Sequence, residues 1–188
     1  SSDGRHTAAG WKATQFIPGK VRGRIDETAQ MALRLDAAMA EVSLPNGQRS
    51  DDFARAERSA WEETGEAYRP TLLVDVPLIP AHTALLATTV YHGTNPPGIV
   101  ELVPSESPRP AGWGAALVIV DGLIAQAVDD GICQRFSHVP GMQELLLRAV
   151  SYRRHINDLH PTSRSNTRSY IERVEQHLVS QASAILER

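Results

Sequence analysis

Two long stretches of helical apolar spacing, one toward each end of the chain, enclose a middle that prolines and glycines interrupt. That arrangement limits the fold more than any other feature. Met31, Leu35, Ala38, Met39 and Val42 recur at three- and four-residue steps, so the spacing predicts a helix from about Asp26 to Val42. Asp26 and Glu27 stand where the positive end of the helix dipole favours acids. Leu44-Pro45-Asn46-Gly47 breaks the pattern. A second helix is expected from about Asp51 to Glu66, with Ser50 as its N-cap and Phe53, Ala56 and Ala60 sharing a face. Two more helices close the chain, from about Gly141 to Leu159 and from about Ser163 to Leu186, with Pro161 ending the first.

The middle reads differently. Pro70 to Ile79 has the alternation of a strand that ends near Pro77, and Ile99 to Val103 is a second, shorter strand. Ala81 to Tyr91 mixes helix-prone Ala84–Ala87 with strand-prone Thr88–Tyr91. Pro104 to Gly114 is a loop, and the short, continuously apolar Ala115 to Val120 is expected as a buried strand. Gly122 to Asp130 continues as a helix that Gly131 stops. The expected fold is therefore α+β, a small central sheet flanked by helix pairs at both ends. The alternative is a mainly α bundle with an irregular middle. Residues 1–24 are expected as an irregular arm anchored by Trp11, Phe16 and Ile17, and residues 25–188 as a single helix-rich globular domain. A chain of 188 residues buries roughly 70% of its unfolded surface, so such a domain needs no covalent staples.

Composition removes several classes. The one cysteine, Cys133, forms no internal disulfide and no cysteine-rich zinc site, which points to a reducing compartment and a cytoplasmic protein. The N-terminal Ser1-Ser2-Asp3-Gly4 carries no apolar signal-peptide core. The runs Leu72–Tyr91 and Ala115–Val128 are each broken by charge and fall short of the ~20 apolar residues that span a bilayer, so no membrane partner is expected. Seventeen arginines against two lysines, with many alanines, suggest a GC-rich genome of bacterial type, and the net charge of −3 opposes non-specific nucleic-acid binding.

Several groups of residues invite a functional reading. Arg148, Arg153, Arg154, Arg164, Arg168 and Arg173 concentrate positive charge near the C-terminal end, where Arg164 and Arg168 lie one helical turn apart; such residues contact phosphates, or else form a solvated face. Ile171, Val174, Leu178, Gln181 and Ile185 follow a coiled-coil spacing that suits either a partner helix or the domain's own core. His155, Asp158 and His160 cluster at a helix end, where termination is the alternative to metal binding, and Cys133 lies five residues from His138. Tyr91-His92-Gly93-Thr94 resembles the His-Gly-Thr strand end of ADP-ribosyltransferases, a resemblance that covers four residues. It implies that His92 would hold the nicotinamide ribose of NAD; read without it, the string is a strand ending in a turn at Gly93. Arg58 to Gly65 resembles the end of a Nudix box, which implies Mg²⁺ held by helix glutamates, although Ser59 stands where that pattern has Glu; the alternative is an acidic solvated helix face.

The expectation from sequence is a non-catalytic interaction module, an assembly subunit or regulatory domain that uses the terminal helix and N-terminal arm to bind a protein partner or a second copy. No cofactor is implied by that reading. The alternatives are an NAD-dependent ADP-ribosyltransferase-like enzyme built on His92 and Tyr91, and a nucleic-acid-associated protein built on the arginines.

Overall fold

The structure, a computed structural model, describes residues 7–8, 11–12, 16–43, 49–159 and 165–186. In chain order the elements are β1 (Thr7–Ala8), β2 (Trp11–Lys12), β3 (Lys20–Val21), α1 (Ile25–Met39), α2 (Asp52–Glu62), a 3₁₀ turn at Pro70–Leu73, β4 (Leu78–Ile79) and α3 (Leu85–Thr88). There follow β5 (Thr89–Tyr91), β6 (Gly98–Ile99), β7 (Arg109–Pro110), α4 (Trp113–Ile124), α5 (Gly131–Arg135), α6 (Met142–Leu159) and α7 (Ser165–Leu186). The fold is α+β, with 55% of the described residues helical and the strands short and antiparallel. β5 lies between β3 and β6, β4 pairs with β7, and β1 pairs with β2. Lys20 and Val21 pair with Tyr91 and Val90, which ties the end of the N-terminal arm into the sheet.

The core is organised around α4. The stretch Ala115–Val120, expected as a strand, lies inside this helix. Every residue from Trp113 to Leu123 except Asp121 is buried, because α1, α6 and α7 pack around it. A helix covered on all sides needs no polar face, so its sequence loses the periodicity that marks helices elsewhere. α1 approaches it closely and runs antiparallel to it. A Cβ on Gly122 would lie 2.8 Å from Ile25 Cγ2, and one on Gly114 would lie 3.6 Å from Ala32 Cβ. α2 packs on α6, and α6 packs on α7.

The core face of α1 is not the one the large apolar residues mark. Ile25, Thr28, Ala29, Ala32 and Asp36 are buried along with Met31, whereas Ala38 and Val42 are exposed. Small side chains win the inward positions because they allow the close approach to α4. The helix ends at Met39, and residues 44–48, which include the Leu44-to-Gly47 breaker, lie outside the described residues. The N-cap of α2 is Asp51 rather than Ser50; its carboxylate accepts the Ala54 N–H at 3.1 Å and the Arg49 Nε at 2.9 Å. α2 stops at Glu62, and Phe53 faces solvent while Ala54, Ala56, Glu57 and Ala60 face inward.

Pro70 to Ile79 is likewise not one strand. Pro70 starts the 3₁₀ turn, a second turn follows, and only Leu78–Ile79 pairs in a ladder. Of the second strand candidate, Ile99 to Val103, only Ile99 lies in a strand, β6. α4 ends at Ile124, short of Asp130. Gly131, expected as a stop, instead begins α5, where its N–H donates to the Asp129 carboxylate at 2.9 Å. Among the described residues no helix is long and apolar enough to cross a membrane.

Candidate functional site

The arginines of the C-terminal region act as internal staples. Arg148, on α6, is buried and donates through Nη1 to the carbonyl oxygens of Ala60 (2.9 Å) and Glu63 (2.6 Å), closing the C-terminal end of α2 where carbonyls lack helical partners. Its guanidinium also lies 4.2 Å from the centre of the Tyr68 ring. Arg153 donates to both carboxylate oxygens of Asp121 of α4, through Nε at 2.6 Å and Nη2 at 2.7 Å. Arg154 bridges Glu63 (2.6 Å) and Glu175 (3.2 Å), which links α6 to α7. Arg168 pairs with Glu172, and Arg173 lies over the Tyr170 ring. Arg164 lies outside the described residues. The others are therefore dispersed among acidic, carbonyl and aromatic partners rather than gathered into one basic face.

The remaining candidates are also drawn into the fold. Ile171, Val174 and Leu178 are buried, in the same core cluster as the inward residues of α4 and α6; the side chain of Ile185 is not described. Tyr91 is buried, its hydroxyl 2.7 Å from Thr28 Oγ1 and its ring beneath Arg24, while His92 is exposed on the turn that follows. Glu63, from the stretch that resembles a Nudix box, accepts hydrogen bonds from Tyr68, Ser151, Arg154 and His155. Burial works against its ionisation, but those four donors outweigh burial and hold its pKa down to about 2. His155 thus belongs to a structural network; Asp158 is exposed and His160 lies outside the described residues. Among the described residues no three His, Cys, Asp or Glu side chains gather in a way that could hold a metal ion. Cys133 is half-buried, and burial together with Asp130 pushes its thiol up to about 11. His138 Nδ1 lies 3.0 Å from the Arg135 carbonyl, and its ring stacks on Phe136.

His138 also lines a concavity. A cleft of about 670 Å³ opens beside α1. Leu33, Asp36, Ala37 and Ala40 form one wall; the turn and strand from Leu72 to Ile79 form another; Ala111–Gly112 and His138–Pro140 complete it. The Leu72–Ile79 segment holds large apolar side chains in solvent: Leu72, which lines the cleft, is 47% exposed, and Val74 and Leu78, which do not line it, are 75% and 64% exposed. A smaller apolar cleft of about 130 Å³ lies on the other side of α1, between Leu35 and Met39 on the helix and Pro80, Leu102 and Pro104 opposite. The C-terminal half of α1 is thus a ridge between two apolar depressions.

Asp36 is the ionisable group at the floor. It is only 6% exposed, and it accepts the Gly112 N–H at 2.7 Å. Gly112 has φ of +99°, a left-handed conformation that presents this N–H and starts α4. Burial raises the Asp36 pKa to about 6, and the Gly112 hydrogen bond offsets only part of that rise.

The cleft wall is held by a second buried acid. Glu57 of α2 accepts from Arg109 Nε at 2.9 Å, Trp113 Nε1 at 3.2 Å and the Glu106 N–H at 2.7 Å. Trp61 packs edge-on against Trp113 and lies against the Arg109 guanidinium. These bonds fix residues 105–113, and with them Ala111 and Gly112. On the other side, His82 accepts the Ala84 N–H through Nδ1, and its Nε2 lies 2.9 Å from the Glu101 carbonyl; burial lowers its pKa and keeps it neutral. Chemically, the cleft offers apolar contact area, one buried carboxyl poised near neutrality, and Asp75 and His138 at its sides.

The cleft joins four segments that are distant in sequence, so no local motif encodes it. One signal was present: Asp36 continues the spacing of Ile25, Ala29 and Ala32, an acid in register with the inward face of its helix. Comparison of the chain with known protein families, with curated proteins and with solved structures returned no match.

Proposed function

We propose that the protein is a non-catalytic interaction module whose recognition surface is the cleft beside α1, occupied by an apolar segment of a protein partner. The observation that carries this reading is a 670 Å³ depression that is mostly apolar and includes the exposed Leu72, with the exposed Val74 and Leu78 in the same segment of chain. Holding such side chains in water forgoes roughly 1.5–3 kcal/mol each of burial energy. Grouped exposure of this kind marks contact surfaces, and a depression several hundred Å³ in volume admits two or three anchoring side chains. The Glu57 network favours the same reading, because a wall fixed in advance lowers the cost of ordering on binding.

The test is a comparison of the wild-type chain with an Ala37→Glu, Leu72→Glu variant, which places two charges on the cleft walls. Both positions are solvent-facing, so the fold should survive, as circular dichroism will verify. Stoichiometric partners are captured on each protein, and self-association is followed by light scattering across a dilution series. The expected result is a partner whose affinity drops roughly tenfold or more in the variant. Binding at wild-type affinity by the variant would refute the assignment.

A further inference from the structure

The charge around the cleft indicates what chemistry its occupant carries. The described ionisable groups that face it are Asp36 from α1, Asp75 from the Leu72–Ile79 segment and His138 from the segment before α6. The Ala111–Gly112 wall contributes the Gly112 N–H, which is already directed at Asp36. Two acids therefore face one histidine, and among the described residues no Lys or Arg lines the cleft.

We propose that the cleft recognises a basic side chain set among apolar ones, with Asp36 as its counter-ion at the floor. This rests on the cleft being the recognition surface. A buried carboxylate with one neutral donor is poorly solvated, and a cation brought against it supplies what burial removed. The long aliphatic stem of a Lys or Arg suits the route to the floor, because its methylenes lie along Leu33, Ala37 and Val76 while the head reaches the acid. The raised pKa of Asp36 agrees with this placement. A bound cation favours the ionised form, so binding releases a proton near neutrality and strengthens as pH rises through about 6.

Three probes of equal chain length separate the claims: n-octylammonium, n-octanol and n-octanoate, each titrated into the whole chain and followed by amide chemical shifts. The expected result is that octylammonium and octanol both perturb Ala37, Val76 and Gly112, with octylammonium roughly tenfold tighter at about pH 7.5 and octanoate weakest. The preference for octylammonium over octanol should shrink at about pH 5, where Asp36 is mostly protonated. It should also shrink in Asp36→Asn at the higher pH. Equal binding of octylammonium and octanol at both pH values would overturn the basic-side-chain proposal and leave the cleft intact as an apolar surface. Failure of all three to perturb the cleft would overturn both. The pH dependence is measured on the wild-type chain, so the test stands even if Asp36→Asn folds poorly.

Discussion

Replacing Asp36 with Asn should make the protein more stable at neutral pH. The wild-type carboxyl has its pKa raised from 3.8 to about 6, chiefly by burial. Between those values the native state holds a proton that the unfolded chain has released, so stability is full below about pH 4 and falls as pH rises through about 6. A rise of about two pH units corresponds to roughly 3 kcal/mol lost by neutrality. The substituted amide retains an acceptor for the Gly112 N–H and carries no charge, but its NH₂ must find a partner, at a cost of about 1 kcal/mol. The net expectation is a variant more stable than wild type by roughly 1–3 kcal/mol at about pH 7.5, an advantage that disappears below about pH 4. Urea unfolding followed by circular dichroism across this range measures it, and the difference between the two proteins cancels the titration of every other group. Parallel curves between about pH 4 and 6.5 would refute the reasoning, since they would mean that Asp36 titrates alike in the folded and unfolded chains.

The remaining predictions concern the networks around the cleft and the lone thiol. Glu57→Ala should cost about 3 kcal/mol in the same assay, because it leaves the buried Arg109 with only the longer, 3.7 Å contact to Glu106. Glu63→Gln should behave oppositely to Asp36→Asn: the depressed pKa of Glu63 contributes stability above about pH 4.5 that is lost as pH falls toward 2. Its cost at neutrality should be only roughly 1–2 kcal/mol after allowance for partial exposure, and should shrink with acidification. Cys133, with its thiol raised to about 11, should alkylate with iodoacetamide at about pH 8 roughly a hundredfold more slowly than a free thiol, as read by mass spectrometry.

The parts of the fold that could be read from sequence are those whose helices interleave apolar and polar side chains at helical spacing. α6 and α7 begin within two residues of the expected positions, because Leu145, Ala149 and Tyr152, and Ile171, Val174 and Leu178, recur at helical spacing among polar residues, which face solvent in α7 but are buried with partners, as Glu144 and Arg148 are, in α6. α4 could not be read this way, since a helix enclosed by three others has the apolar monotony of a buried strand. α1 was placed correctly with its wrong face inward, because Leu35 and Met39 outweigh Ala29 and Ala32 in any count of apolar character, whereas packing against Gly114 and Gly122 rewards small size. The arginines were visible and their partners were not. Asp121, Glu63 and Glu175 meet Arg153 and Arg154 only once α4, α2 and α7 are assembled. The same holds for the cleft, whose walls come from residues as far apart as Leu33 and Pro140.

Amide hydrogen exchange on the protein, alone and with its captured partner, tests the central claim most directly. The account predicts new protection in residues 33–40, 72–79 and 111–112 and around 138–140, with α7 unchanged from its free-state pattern. Protection confined to the outer face of α7 or to the N-terminal arm would contradict it.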